Sequence, residues 1–270
     1  MNKQILYSVF TKPWKTKSLH ELGAWVADLG FDGIELPVRP GYQIEPENVY
    51  RLPAAATTLA EFGVKIYSIA GPADEATIAA CAETGAAAGC TPTIRTMARI
   101  ADGERYIDAE ARFRREYDAI LALLEKHNVQ IGVQNHCGRF IANAAGLRSL
   151  VQKYDPRRIA IVWDAAHNAL QGQDLDYALD IVWPHLCMVN LKNVYWRRVS
   201  GTEAEIVQWK YHWTSGRQGL ASWPDVAAEL QKRRYTGVVC LTAEYSDKQA
   251  ADRLIRQDIA LAKSLFDRQR

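Results

Sequence analysis

Short apolar runs alternate along the chain with segments of helical periodicity. Many predicted helices begin at a capping residue such as Ser18 or end at a glycine such as Gly30. The predicted strands are residues 4–10, 32–36, 64–70, 91–96, 129–134, 159–163, 186–191 and 237–244. The predicted helices are residues 18–30, 47–62, 74–88, 104–127, a segment capped by Asn143, 174–182, 223–234 and 248–267. Nearly continuous apolar strands separated by helices are typical of a parallel sheet buried on both faces.

Eight strands and eight helices predict a (β/α)8 barrel that occupies residues 1–270 as a single domain. A barrel of this kind typically needs about 250 residues, which suits the length of the chain. An open doubly wound sheet is the alternative, but the chain lacks the glycine-rich phosphate turns GxGxxG and GxxxxGK[ST]. Residues 193–221, after the seventh strand, are predicted to form a long irregular insertion that is rich in aromatic residues.

The charge balance excludes several classes of function. Lys and Arg number 33 and Asp and Glu 31, so the net charge is only +2 and no nucleic-acid or membrane surface is expected. The chain has no signal-peptide pattern and no apolar run long enough to span a bilayer. Its five cysteines are widely spaced and form no CxxC pair. We therefore expect reduced thiols and a cytoplasmic location.

Polar residues gather where the last four predicted strands end. Barrel enzymes build their active sites at the carboxyl ends of the strands, so these side chains are expected to meet at one end of the barrel. Oxygen and imidazole ligands from separate strands can hold a divalent cation, although polar caps on loop backbone are the simpler interpretation of each residue alone. The residues are Gln134 and His136 at the end of strand five, Asp164 and His167 at the end of strand six, Asn190 and Lys192 at the end of strand seven, and Glu244 at the end of strand eight.

Several segments resemble the sugar phosphate isomerase/epimerase superfamily of xylose isomerase-like barrels, in the same order along nearly the whole chain. They are LGFDGIEL (29–36), VQNH (133–136), WDAAH (163–167), NLKN (190–193), GRQGLASWPDV (216–226) and YTGVVCLTAEY (235–245). The resemblance implies a site for Mn²⁺, Mg²⁺, Co²⁺ or Zn²⁺ whose ligands are Gln134, Asp164, Asn190 and Glu244.

Two of these four positions depart from the pattern of the family. Gln134 stands where the family has a glutamate, and Asn190 stands where it usually has a histidine. Both keep a carbonyl oxygen, but both lose basicity. A glutamine cannot accept a proton, which argues against an epimerisation that uses two glutamate bases on opposite faces of the substrate.

The resemblance implies a metal-dependent isomerase or epimerase that acts on a sugar, keto-sugar or polyol through an enediolate. Glu244 would then be the base and His136 a second proton-transfer group, and Lys192 would either stabilise the oxyanion or bind a phosphate or carboxylate of the substrate. A lyase or dehydratase on a similar substrate is the close alternative, because it needs no second base. A second alternative is a non-catalytic sugar-binding barrel that has lost its metal. The related endonuclease branch needs many more histidines than the six present.

Candidate substrate-binding residues extend around the barrel mouth. Besides His167, they are Glu35, Arg39 and Arg95, near the ends of strands two and four, and Trp196 and His212 in the insertion. Surface ion pairs would explain the charged ones equally well. Aromatic faces pack against sugar rings and also against a partner subunit. The expected ligand is a sugar-like small molecule. If the aromatic insertion packs against a partner subunit, the expected assembly is a homodimer or homotetramer.

Overall fold

In the computed structural model, which describes residues 5–267, eight parallel strands close into a barrel. The barrel strands in chain order are β1 Leu6–Phe10, β2 Gly33–Pro37, β3 Lys65–Ala70, β4 Thr93–Met97, β5 Ile131–Gln134, β6 Ile159–Asp164, β7 Leu186–Leu191 and β10 Val238–Leu241. Two further strands, β8 Asn193–Arg198 and β9 Trp209–Thr214, lie between β7 and β10 along the chain and outside the barrel. Strands β1 to β7 follow one another around the barrel, and β10 pairs with both β7 and β1 to complete the ring. Closure leaves no edge strand in the barrel. The predicted (β/α)8 fold is confirmed.

Helices lie between successive barrel strands along the chain and cover the barrel. Three short 3₁₀ turns, Lys12–Trp14, Pro46–Arg51 and Trp183–His185, complete the connections. The helices are α1 Leu19–Leu29, α2 Leu52–Ala60, α3 Glu75–Ala88, α4 Tyr106–His127, α5 Ala144–Val151, α6 Ala165–Leu170, α7 Leu175–Val182, α8 Trp223–Lys232 and α9 Ala251–Phe266. None of these helices combines the length and apolarity needed to cross a membrane.

Local sequence explains several of the helix ends. The Ser18 hydroxyl accepts the amide of Glu21, whose carboxylate accepts the amide of Ser18, so the predicted capping box opens α1. Gly30 closes the same helix at φ +82°, a left-handed conformation that favours glycine. Asn143 caps α5 through its side chain, as Ser18 caps α1. The predicted caps at Ser18, Gly30 and Asn143 are therefore confirmed.

The segment 193–221 is not the irregular insertion that the sequence analysis predicts. Its strands β8 and β9 lie outside the barrel and pair with each other as an antiparallel hairpin. Aromatic residues at every second position of β9 have the period of a strand, because side chains alternate between its two faces. This alternation is the signal that the prediction missed.

Three larger differences from the predicted elements have identifiable causes. The predicted helix 47–62 is divided into the 3₁₀ turn Pro46–Arg51 and α2. The last barrel strand ends at Leu241, before the predicted end at residue 244, because Ala243 adopts φ +51° and leaves the extended conformation. An additional helix, α6, follows β6 directly because Asp164 caps it.

A buried carboxylate on α9 fixes the loops around the barrel mouth. Asp258 accepts the amide N–H of Gly216 at 3.0 Å and the hydroxyl of Tyr245 at 2.8 Å. It therefore ties α9 to the segment after β9 and to the segment after β10. Burial raises the pKa of Asp258 to about 6.

This raised pKa predicts a specific pH dependence of stability. The folded state holds the proton of Asp258 up to a higher pH than the unfolded state does, so folding loses stability as the pH rises from about 4 to about 6. Relative to Asp258→Asn, the native protein should lose about 3 kcal/mol of unfolding free energy over that interval. Urea unfolding of both proteins at several pH values measures the difference, and parallel pH profiles would contradict this expectation.

Candidate active site

The structure brings the predicted polar residues together at one end of the barrel. Gln134 and Asp164 are the last residues of β5 and β6, and Asn190 pairs in register with Asp164. Lys192 follows β7, and Glu244 follows β10. All are buried except Glu244, whose side chain is 23% exposed. The predicted convergence at the carboxyl ends of the strands is therefore present in the structure.

A buried guanidinium determines how Gln134 is oriented. Arg95 of β4 donates from Nε to Glu35 Oε1 at 2.6 Å and from Nη1 to Gln134 Oε1 at 2.5 Å. A guanidinium can only donate, so the oxygen of the Gln134 amide must face it. The amide nitrogen then points the other way and donates to Asp164 Oδ2 at 2.9 Å. Gln134 thus bridges a cation and a carboxylate.

Asp164 is hydrogen-bonded through both of its oxygens. Oδ1 accepts the amide N–H groups of Ala166 and His167 at the start of α6, and Oδ2 accepts from Gln134. Burial raises the pKa of Asp164 to about 6. The N-cap role, which was the simpler interpretation of Asp164, is therefore present in the structure.

Glu244 is held between two ammonium groups. Lys192 Nζ lies 2.8 Å from Glu244 Oε2, and Lys12, from the segment after β1, donates to Glu244 Oε1. Burial acts to raise the pKa of Glu244, but Lys192 and Lys12 outweigh it and hold this pKa well below its usual range. A carboxylate with so low a pKa is a weak proton acceptor, which argues against the predicted role of Glu244 as the base.

The four predicted metal ligands do not fit a resident divalent cation. Gln134 Oε1 faces Arg95, both Asp164 oxygens accept hydrogen bonds, and both Glu244 oxygens accept from lysines. Among these ligands, only Asn190 offers a buried oxygen without a hydrogen-bond partner. The carboxylates of the site (Glu35, Asp164 and Glu244) are balanced by an equal number of cations (Arg95, Lys192 and Lys12). A metal would have to displace these cations or lie beside them.

We therefore expect only weak metal binding. Titration of the native protein with manganese should give a dissociation constant above about 1 mM, because the carboxylates that would attract the metal are already paired. Isothermal titration calorimetry measures this directly. Binding of one manganese per chain at micromolar concentration would show that the metal can displace the lysines, and the predicted metal site would then stand.

Backbone contacts fix the proton of His136 on one ring nitrogen. Nδ1 lies 2.8 Å from the carbonyl oxygen of Cys137, and since a carbonyl can only accept, Nδ1 must carry the hydrogen. Nε2 is then left with its lone pair. Burial lowers the pKa of His136, and the charges of Lys192 and Arg95 lower it further, against the bond to Cys137. His136 is therefore a neutral imidazole with a basic nitrogen at neutral pH.

His167 has the opposite tautomer. The amide N–H of Cys137 donates to His167 Nδ1 at 3.2 Å, so the ring hydrogen lies on Nε2. This Nε2 is buried, has no hydrogen-bond partner among the described residues and lies 4.0 Å from Asp164 Oδ2. The ring centroids of His136 and His167 are 4.1 Å apart. The pair therefore offers one acceptor and one donor side by side.

His136, Cys137 and His167 also lie close enough together to suggest a metal site. The tautomer of His167 argues against it, because Nδ1 is engaged and Nε2 carries a hydrogen. Burial also raises the pKa of the Cys137 thiol, so the thiolate that binds metals is disfavoured. These residues suit proton transfer better than metal binding.

The hairpin covers the mouth with one aromatic face. Trp213 pairs across the hairpin with Val194, and Trp196 pairs with Tyr211 on the same face. The Trp213 ring lies 3.7 Å from Lys192 Nζ and 5.2 Å from the His167 ring. Trp196, further along this face, is 45% exposed. This face of the hairpin therefore reaches the polar residues of the barrel through Trp213.

His212, a predicted substrate-binding residue, lies on the other face of the hairpin. It pairs with Tyr195, and their ring centroids are 4.9 Å apart. Side chains at successive positions of a strand point to opposite faces, so His212 faces away from Trp213. The structure therefore does not bring His212 together with the other candidates.

Two clefts open at this end of the barrel. One, of about 500 Å³, is lined by Lys12, Trp213 and Glu244 among others. The other, of about 430 Å³, is lined by Arg39, Arg95 and other residues of the segments after β2, β3 and β4. We call the first the lysine cleft and the second the arginine cleft.

Two residues of the lysine cleft were missed by the sequence analysis. Lys12 follows β1, so the rule that sites form at the carboxyl ends of strands would have included it. Trp213 would have been found from the alternation in β9, which sets it apart from its neighbour His212. Neither contact with Glu244 or Lys192 can be read from sequence, because the partners are far apart along the chain.

The structure is thus a closed (β/α)8 barrel with a cluster of polar residues at the carboxyl ends of its strands. Residues 24–265 match the model of the xylose isomerase-like TIM barrel family, and the chain belongs to this family. Comparison of the sequence with curated proteins gives no match.

Solved structures of several enzymes share the fold. The probable 3-DHS dehydratase AsbF from Bacillus anthracis is 17% identical, with a TM-score of 0.67 over 95% of this chain and 98% of the other. A D-psicose 3-epimerase is 13% identical, with a TM-score of 0.69 over 97% and 99%. The 3-keto-D-glucoside 4-epimerase from E. coli is 14% identical, with a TM-score of 0.69 over 97% and 100%. At these identities the likeness concerns the fold.

Proposed function

We propose that the protein is an enzyme that removes a proton from the carbon beside a carbonyl group of a sugar-like substrate. His136 Nε2 accepts the proton, and the ammonium of Lys192 stabilises the negative charge that develops on the carbonyl oxygen as the enediolate forms. The similarity of the fold to epimerases and a dehydratase supports a reaction of this kind.

The observation that carries the proposal is the neutral His136 with its free Nε2, which the rings of His167 and Trp213 link to the buried ammonium of Lys192. Contacts run from the His136 ring to His167, from His167 to Trp213, and from Trp213 to Lys192. A base and an oxyanion stabiliser on one side of the mouth are what proton abstraction next to a carbonyl needs.

Glu244 has a positioning role in this proposal. Its carboxylate is fixed by Lys12 and in turn fixes the Lys192 ammonium. An ammonium group that is already fixed in position loses less conformational entropy when it binds a developing oxyanion than a mobile ammonium group does. This assignment replaces the predicted role of Glu244 as the base.

The site favours a reaction that needs one base. Gln134 stands where a second base would be, and its amide is engaged by Arg95 and Asp164 on its two sides. In an isomerisation, the protonated His136 returns the proton to the former carbonyl carbon, and the proton of the adjacent hydroxyl group passes to the former carbonyl oxygen, so that the carbonyl moves by one carbon. In a dehydration, the same proton leaves with a hydroxyl group as water and a carbon–carbon double bond forms. Both need a single base, whereas epimerisation through two opposed bases does not fit.

Deuterium exchange tests the proposal whatever the final product of the reaction is. The native protein is incubated in D₂O with keto-sugars, keto-polyols and their acids, and proton NMR follows the signal of the hydrogen beside the carbonyl. We expect catalysed loss of that signal for at least one substrate, because the proton on His136 exchanges with solvent. The absence of exchange across the whole series would refute the proposal.

A further inference from the structure

We infer that the arginine cleft binds an anionic group of the substrate, either a carboxylate or a phosphate. The inference rests on the proposed function, because it assigns the substrate a charge and an orientation in the same site. Two observations support the inference. Three arginines line one cleft, and a residue of this cleft, Phe140, contacts His136.

The cleft is lined by basic side chains without a balancing carboxylate in its wall. Its walls include Arg39, Arg95 and Arg99, together with the ring of Phe140, and none of the described residues that line it is an aspartate or glutamate. Guanidinium groups are planar donors that match carboxylate and phosphate oxygens in pairs. A cleft with this lining selects an anion over a neutral hydroxyl group.

Only one of the three arginines is neutralised within the described part of the chain. Arg95 forms the ion pair with Glu35, whose Oε1 also accepts from Ser68. The guanidinium groups of Arg39 and Arg99 have no side-chain hydrogen bond or ion pair among residues 5–267. Two positive charges therefore remain available to a ligand.

Arg39 is also partly withdrawn from water. It is partly buried, and its guanidinium carbon lies 5.8 Å from the ring centroid of Phe10. Burial lowers the pKa of Arg39, and the charge of Arg95 lowers it further. The carboxylates of Glu244 and Glu35 offset this lowering of the pKa only in part. An unpaired cation in such a place is costly, and an anion would relieve that cost.

The cleft adjoins the proposed base. The ring of Phe140, which lines the cleft, lies 4.4 Å from the ring of His136. A substrate held by its anionic group at Arg39 and Arg99 can therefore extend past Phe140 towards His136. The carbon that loses the proton is then separated from the charged end of the molecule.

Calorimetric titration of the native protein with three related probes tests the inference. The probes are gluconate, glucitol 6-phosphate and neutral glucitol, which share a carbon chain and differ in charge. We expect at least one anion to bind about tenfold more tightly than glucitol, and Arg39→Gln to remove about that factor. Arg115→Gln, an exposed arginine of α4 without an ion pair among the described residues, is the matched control and should leave binding unchanged.

The two anions distinguish a carboxylate from a phosphate, since the better ligand identifies the group. The inference is overturned if neither anion binds better than glucitol, or if Arg39→Gln binds both as tightly as the native protein. Its failure is separable from that of the proposed function. Anion binding through Arg39 without deuterium exchange on any substrate refutes the function, whereas exchange without anion preference refutes the cleft.

Discussion

Replacing Lys192 by methionine should lower kcat/KM for deuterium exchange about a thousandfold. Lys192 is the buried ammonium that the proposal places at the developing oxyanion, and methionine keeps the length of the side chain but removes the charge. The loss of one oxyanion donor costs about 10² to 10³ in rate in other enzymes. The measurement is the initial rate of exchange by NMR, with the substrate that the native protein turns over.

Two further variants separate this role from a structural one. Lys192→Arg keeps a positive charge beside Glu244 and should retain more activity than the methionine variant. Lys126→Met, an exposed lysine near the end of α4, is the control and should behave like the native protein. Folding of each variant is checked by circular dichroism. A folded Lys192→Met protein with native kcat/KM would remove Lys192 from the mechanism.

His136→Gln should also reduce exchange strongly, by about 10² to 10⁴. Glutamine can occupy a similar volume and hydrogen-bond to the backbone, but it cannot accept a proton. The pH profile gives an independent readout. Because burial lowers the pKa of His136, the native rate should stay constant to a pH below 6.5 and fall only when the imidazole becomes protonated.

His212→Gln provides the matched control for this substitution. His212 lies on the opposite face of the hairpin from Trp213, so its replacement should leave both the rate and the pH profile unchanged. Equal losses from the two variants would contradict a specific role for the imidazole of His136.

The barrel could be predicted from the sequence because its strands are almost uniformly apolar. Strands such as β6 are buried on both faces, so their apolar runs differ clearly from the periodic helices. The hairpin was missed for the opposite physical reason. Its residues are largely exposed, so the apolar and polar alternation in β8 and β9 is weak, and only the aromatic residues reveal it.

The candidate residues could be predicted because their places at strand ends follow from the topology. Gln134, Asp164 and Asn190 meet as expected. Their hydrogen bonds could not be predicted, because the partner that orients Gln134 is Arg95, which lies on β4. The sequence shows that residue 134 is a glutamine, but it does not show whether a guanidinium or a metal ion lies next to it.

The same limit applies to Glu244. The sequence places a glutamate after the last barrel strand, where the resemblance makes it a base and a metal ligand. The structure places Lys12 and Lys192 on its two oxygens, and this lowers its pKa and occupies its lone pairs. Two lysines, one from the segment after β1 and one from the segment after β7, therefore determine whether this carboxylate can accept a proton or bind a metal.

In the proposed mechanism, cationic side chains and not a resident metal support proton abstraction in this barrel. The most direct test compares kcat/KM for deuterium exchange before and after exhaustive treatment with a chelator, with elemental analysis of both samples. We expect equal rates in the two samples, with the exchange still lost in Lys192→Met. Loss of exchange on chelation and its recovery on addition of manganese would contradict the mechanism.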